Sequence, residues 1–171
     1  PAGLMEEVRG RVRTIEERTG KRFGDPENPL LVSVRSGAKF SMPGMMDTVL
    51  NLGLTRKTVE GLAQATGDRR FAYDSYRRFM QMCGNVVLGI KHDQFEEVLD
   101  GLKRRRGVTL DTELTAKDLE ELTESYRKVV RSRTNQEFPD DPWAQLEMAI
   151  PAVFESWNNP RAITYRNFNK L

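Results

Sequence analysis

Between Thr55 and Arg133 the chain carries four consecutive segments, each with its own start signal and its own apolar stripe at helical spacing. No other feature constrains the fold as much, because such segments joined by short loops bury their stripes against one another as a helical bundle. Thr55 can cap the first, with Val59, Leu62 and Ala63 inward. Asp68 can cap the second, which holds Phe71, Tyr76, Phe79, Met80 and Val87. Asp93 followed by Glu96 makes a capping-box pattern ahead of Phe95, Val98, Leu99 and Leu102. Thr115 and Asp118 open the fourth, whose stripe is Leu119, Leu122, Tyr126, Val129 and Val130.

The flanks read differently. Leu4, Met5, Val8, Val12 and Ile15 predict a helix from Gly3 to Thr19, with Gly20 as a left-handed stop. The breaker-rich run Gly24-Asp25-Pro26-Glu27-Asn28-Pro29 is a loop. Leu30 to Arg35 is short and β-branched and predicts a strand, with Leu30, Val32 and Val34 on one face and Leu31, Ser33 and Arg35 on the other. Ser36 to Gly53 lacks a period and is expected to be a long functional or flexible loop. Asp141-Pro142 starts another helix carrying Trp143, Leu146, Ile150, Val153, Phe154 and Trp157, bent at Pro151 and ended by Asn158-Asn159-Pro160. Ala162 to Tyr165 reads as a second short strand. Both strand segments are expected to pair with strands outside this chain, leaving their edges exposed or covered by another copy. An α+β domain with a helical insertion is the simplest architecture.

With 171 residues the chain makes one ordinary domain. Its 27 Lys and Arg against 25 Asp and Glu exclude an acidic tail protein and a histone-like phosphate neutraliser. Apolar residues at 38% and charged residues at 30% indicate a water-soluble globular chain with a modest core. Apolar stretches such as Val86-Val87-Leu88 are far shorter than the roughly 18 residues a membrane span requires, and no signal peptide opens the chain. The lone Cys83 and the lack of any Asn-x-Ser/Thr site fit a reducing cytoplasm. A start at Pro1 and a stop at Leu171 without a polar tail suggest a piece of something larger.

Chemical signals are sparse. Cys83 and His92 fall on opposite sides of a straight helix, so a core thiol and an incidental helix-start histidine are expected. One Cys and one His exclude a zinc site of the usual Cys/His kind. The basic runs Lys103-Arg104-Arg105-Arg106 and Arg127-Lys128 with Arg131 and Arg133 suit helix C-termini, with Gly107 stopping the first. Nucleic-acid contact is the weaker alternative for them. Neither Gly-x-x-x-x-Gly-Lys-Ser/Thr nor Gly-x-Gly-x-x-Gly is present. Arg35, however, ends the predicted strand and precedes Ser36-Gly37-Ala38-Lys39, a suitable arrangement for polyphosphate oxygens. Alone, an arginine there also suits an ordinary surface, and the methionines suit core filling.

The segment from Ser33 to Gly53, containing Met42-Pro43-Gly44-Met45-Met46-Asp47-Thr48, closely resembles the pyruvate, phosphate dikinases. Three further blocks agree: Gly61-Leu62-Ala63, Tyr73 to Met82, and Phe154-Glu155-Ser156-Trp157-Asn158-Asn159-Pro160-Arg161-Ala162. The resemblance implies an enzyme family that interconverts ATP, phosphate and pyruvate with AMP, pyrophosphate and phosphoenolpyruvate, using Mg2+ and a monovalent cation. It implies an ATP-grasp nucleotide-binding domain with a helical subdomain, a swivelling domain bearing the phosphorylated histidine, and a barrel that handles pyruvate. Arg35 matches the family arginine that contacts the nucleotide phosphates, with Ser36 and Gly37 beside it. The glycine-rich lysine segment, the acidic metal ligands and the adenine pocket belong outside this chain, and His92 matches no catalytic histidine.

The expected fold is therefore α+β and mainly helical, a partial ATP-grasp domain with an inserted helical bundle. Residues 1–54 form a partial sheet region with the phosphate segment, 55–135 the helical subdomain, and 136–171 the return helix and strand. Within the parent enzyme ATP and Mg2+ are the expected cofactors and Arg35, Ser36 and Gly37 the binding residues, with no catalytic residue and no metal ligand in this stretch. The chain alone is expected to be inactive. Its expected partners are the remaining dikinase domains in a cytoplasmic homodimer, without nucleic acid or membrane. The rival is a non-catalytic helical interaction module built on residues 55–133.

Overall fold

A computed structural model describes residues 3–37 and 44–170. In chain order the elements are α1 (Leu4–Thr19), β1 (Arg22–Phe23), β2 (Pro29–Leu30), β3 (Val32–Arg35), β4 (Thr48–Leu52), α2 (Thr58–Thr66), α3 (Arg69–Val86), α4 (His92–Arg106), α5 (Ala116–Thr134), α6 (Pro142–Glu155) and α7 (Pro160–Asn169). The described chain is mainly helical, with two small two-stranded sheets: β1 parallel to β2, and β3 antiparallel to β4.

Helix α3 organises the packing. It lies against α5, α2 and β4, while α4 packs on α5 and α6 covers β3 and β4. Tyr76, Phe79, Met80, Phe95, Leu99, Leu102, Leu119, Leu122, Tyr126 and Val130 are buried in the bundle. They form one cluster with Val49, Leu52 and Leu54 from the sheet side. Phe95 meets Tyr126 edge-on at 5.0 Å between centroids, a preferred aromatic arrangement. Gly84 lets α4 come this close, because a methyl there would run into the Phe95 ring.

Most helix starts follow the sequence signals. The Asp68 side chain accepts the Phe71 N–H at 2.8 Å. Thr115 and Asp118 form the reciprocal capping box, each accepting from the other's backbone. Asp141 accepts from Trp143 N–H, with Pro142 in the first turn. Gly20 and Gly107 end α1 and α4 at φ 69° and 70°. Thr55 lies just ahead of α2 but still accepts the Thr58 N–H with its hydroxyl and the Val59 N–H with its carbonyl.

Several expectations are corrected. The capping box at Asp93 and Glu96 does not form: α4 begins at His92 after Lys91, whose side chain makes no cap. The Glu96 carboxylate instead accepts from Gln81 on α3 at 2.5 Å, so a contact between helices replaces a local one. Phe71 is 49% exposed, whereas Ala72 and Tyr73 in the same turn of α3 are buried. Ala162 to Tyr165 is not a strand but the middle of α7. Pro160, taken as a terminator, occupies a helix's first turn, where its missing N–H costs nothing, and the Asn159 carbonyl accepts from Ile163 N–H. Pro151 lies inside α6.

The stretch 36–53 is not wholly irregular either: Thr48–Leu52 forms β4 and pairs with β3, so that strand has its partner within the chain. Leu30 to Arg35 divides into β2 and β3, which join different sheets. The central part of the expected loop, residues 38–43, lies outside the described residues. Beyond β4, Gly53 turns the chain into the bundle at φ 107°, where a methyl would stand 2.8 Å from the Leu30 carbonyl oxygen.

Candidate functional site

Strand β3 delivers Arg35 to its end, and the ladder sets it directly opposite Thr48. Arg35 is exposed, and its Nε lies 3.5 Å from the Ser36 carbonyl oxygen. Arg35, Ser36 and Gly37 edge a cavity of about 670 Å3 whose walls include Leu4, Val8, Ile150, Val153 and Trp157. That size is within the range of roughly 300–1,000 Å3 usual for ligand pockets. The three residues singled out by sequence, consecutive in the chain, all line this cavity. A guanidinium with small residues beyond it fits an anionic phosphate chain.

Just ahead of β4, around Asp47, is a polar corner to which the sequence assigns no role. The Asp47 carboxylate accepts from Arg161 Nη2 and, at 3.0 Å, from Asn159 Nδ2. The Asp47 N–H donates to the buried Ser156 hydroxyl at 3.0 Å, which itself donates to the Val153 carbonyl at 2.7 Å. Arg161 Nε adds a bond to the Met45 carbonyl at 3.0 Å. The only signal was that both partners stood in blocks of the resemblance, far apart in the chain. Gln145 was missed altogether. Fully buried, it accepts the Gly53 N–H and donates to the carbonyls of Leu54 and Pro139, tying the end of β4 to α6.

The other candidates resolve into packing. Cys83 is buried, and burial pushes its thiol up to about 12. The His92 ring lies beside Gln81 and Glu96, not Cys83. In the basic run, Lys103 pairs with Asp100 and Asp111, Arg105 with Glu121, and Arg106 with Asp118 and Glu121. Arg127 is buried between the Tyr76 hydroxyl and Asp140. Among the described residues no three or more His, Cys, Asp or Glu side chains are grouped to hold a metal ion. Among them, too, no helix is long and apolar enough to cross a membrane.

The described chain is thus a mainly helical domain with two small sheets and an arginine beside its cavity, and comparison with known proteins specifies the kind. The family model described as the pyruvate phosphate dikinase, AMP/ATP-binding domain, matches residues 2–171, and the chain belongs to that family. A pyruvate, phosphate dikinase of Giardia intestinalis is 61% identical over the whole chain, which spans 19% of that relative. The chloroplastic pyruvate, phosphate dikinase of Mesembryanthemum crystallinum is 59% identical over 99% of the chain and 18% of its own length. That of Clostridium symbiosum is 53% identical over 98% of the chain and 19% of its own length. The chain thus spans about a fifth of the curated relatives it matches.

Proposed function

We propose that this chain is part of the ATP-binding domain of a pyruvate, phosphate dikinase, which converts ATP, pyruvate and phosphate to AMP, phosphoenolpyruvate and diphosphate through a phosphohistidine carried elsewhere. The observation that carries the reading is the family match over residues 2–171, joined to Arg35, Ser36 and Gly37 standing on one cavity rim. Arg35 stabilises charge on the transferring phosphoryl groups, and the rim of Ser36 and Gly37 places backbone donors beside it. The rival interaction-module reading has no comparable support.

On this reading the chain is a partial ATP-grasp domain: residues 1–54 give the phosphate-binding edge, 55–135 an inserted helical subdomain, and 136–171 the return to that edge. Mg2+ would neutralise phosphate charge when bound; among the described residues no three or more His, Cys, Asp or Glu side chains are grouped to hold it. The remaining domains of the dikinase are its partners, in a homodimer. A cytoplasmic location is favoured by the lone, buried Cys83.

In the full-length protein, Arg35→Ala should slow phosphorylation of the histidine from ATP about 10²–10³-fold, leaving phosphorylation from phosphoenolpyruvate unchanged. Rapid-quench measurement of both half-reactions tests this, and equal loss of both would overturn the assignment of Arg35. The 171-residue chain alone should release no AMP from ATP and Mg2+. AMP release by the purified chain would show that it holds the catalytic groups assigned to the rest of the enzyme.

A further inference from the structure

The corner around Asp47 has the chemistry of a latch rather than of a binding site. Both carboxylate oxygens are engaged, one by Arg161 and one by Asn159, and the backbone N–H is engaged by Ser156. Ser156 is 2% exposed, and its hydroxyl accepts from the Asp47 N–H while donating to the Val153 carbonyl. Arg161 uses a second donor on the Met45 carbonyl, two residues before Asp47. Donors from the α6–α7 junction thus grip the chain at Met45 and Asp47 from one side.

What they hold is the entrance to β4. Thr48, the next residue, is the ladder partner of Arg35, and Met46 lines the same cavity as Arg35. Moving Asp47 would shift the strand against which the end of β3 is registered. We infer that Arg161, with Asn159 and Ser156, positions Arg35 by fixing Asp47, and so sets the angle at which the guanidinium meets an anionic ligand. In this role Arg161 acts through Asp47 rather than by contact with the ligand. The inference rests on the reading of Arg35 as a phosphate-contacting residue.

Two features separate this role from plain structural support. The Arg161 side chain is 52% exposed and its carboxylate partner 24%, and ion pairs that wet add little to stability. A small displacement of a charge-stabilising group, in contrast, can cost up to about 10²-fold in rate. Losing the latch should therefore leave the fold standing and slow the chemistry that Arg35 serves.

The test uses the full-length enzyme and four variants: Arg161→Ala, Arg161→Lys, Arg35→Ala and the double Arg35→Ala/Arg161→Ala. At saturating ATP, Arg161→Ala should slow histidine phosphorylation from ATP roughly 10- to 100-fold. Phosphorylation from phosphoenolpyruvate and the thermal midpoint should be unchanged. Arg161→Lys, which keeps the charge but loses the fork to Met45, should recover part of the rate. In the Arg35→Ala background, Arg161→Ala should add no further loss, because its effect passes through Arg35. Additive losses, or a loss shared by both half-reactions, would overturn the positioning role. If Arg35→Ala is damaging while Arg161→Ala is silent, the positioning role alone falls. If Arg35→Ala is itself silent, the reading of Arg35 falls and takes this inference with it.

Discussion

The bundle α2–α5 and the rim around Arg35 are built from the same chain but by opposite rules. In the bundle two arginines are enclosed and paired: buried Arg77 is held by Asp74 at 2.8 Å and Asp111 at 2.7 Å, and buried Arg127 by Asp140 at 3.0 Å. Around the rim, large apolar groups stand in the open. Phe154 is 66% exposed and Trp157 39%. The bundle spends its residues on packing, while the rim keeps an arginine accessible and its walls thinly covered. Stability and ligand chemistry should therefore respond to different substitutions.

The largest stability loss belongs to the bundle. Phe95 is fully buried, stacked edge-on against Tyr126 and seated over Gly84. Phe95→Ala should cost about 3–5 kcal/mol, read as a lowered midpoint in urea denaturation of the chain. A cost below about 1 kcal/mol would mean that α4 is not part of the core, and the contrast with the rim would collapse. Next comes Asp140→Ala, which leaves Arg127 enclosed with one fewer acceptor. Its cost should be about 1–3 kcal/mol, and Arg127→Met in the same background should restore part of it by removing the stranded charge.

The capping box of α5 gives a smaller effect with a defined direction in pH. Hydrogen bonds from the Thr115 hydroxyl and backbone, with Arg106 nearby, hold the Asp118 carboxyl below the usual carboxylate range against the opposing effect of burial. A depressed folded-state value means that the stabilisation is fully present above the unfolded value, about 3.9. It is lost as pH falls through the lowered folded value. Acid titration of Asp118→Asn should therefore show a shallower loss of stability below about pH 4 than the parent chain, with both already similar in slope at neutral pH. An identical acid limb would show that this carboxyl is not linked to folding.

How much of this was legible follows from the range of each signal. The helices of the bundle and the caps at Asp68, Thr115 and Asp141 could be read because cap and stripe lie within one or two turns of each other. Strand β4 could not, because a register shift puts Asn51 at φ 60° and moves the buried positions to Val49 and Leu52. That spacing of three erases the alternation by which a strand is recognised. Helix α7 was misread because Ile163 and Thr164 are β-branched while the decisive residue, Pro160, can either end a helix or begin one. Arg35 was legible as a strand-end cation. The latch was not, since Asp47 and Arg161 stand 114 positions apart and meet only once the chain between them has folded.

The smallest expected effect sharpens the comparison most, because it asks whether the rim's apolar surface holds anything in place. Phe154 lines the cavity from the last turns of α6, yet two thirds of it is exposed, whereas Val153 beside it is buried. Removing a ring that is already in water forfeits little transfer free energy and opens no enclosed void. Phe154→Ser in the 171-residue chain should therefore shift stability by no more than about 0.5 kcal/mol, while Val153→Ala, one residue earlier, should cost measurably more. Urea denaturation of the two variants side by side decides it. If Phe154→Ser proved the more damaging, the ring would be covered in the folded chain, and the open rim beside Arg35 would not exist as described.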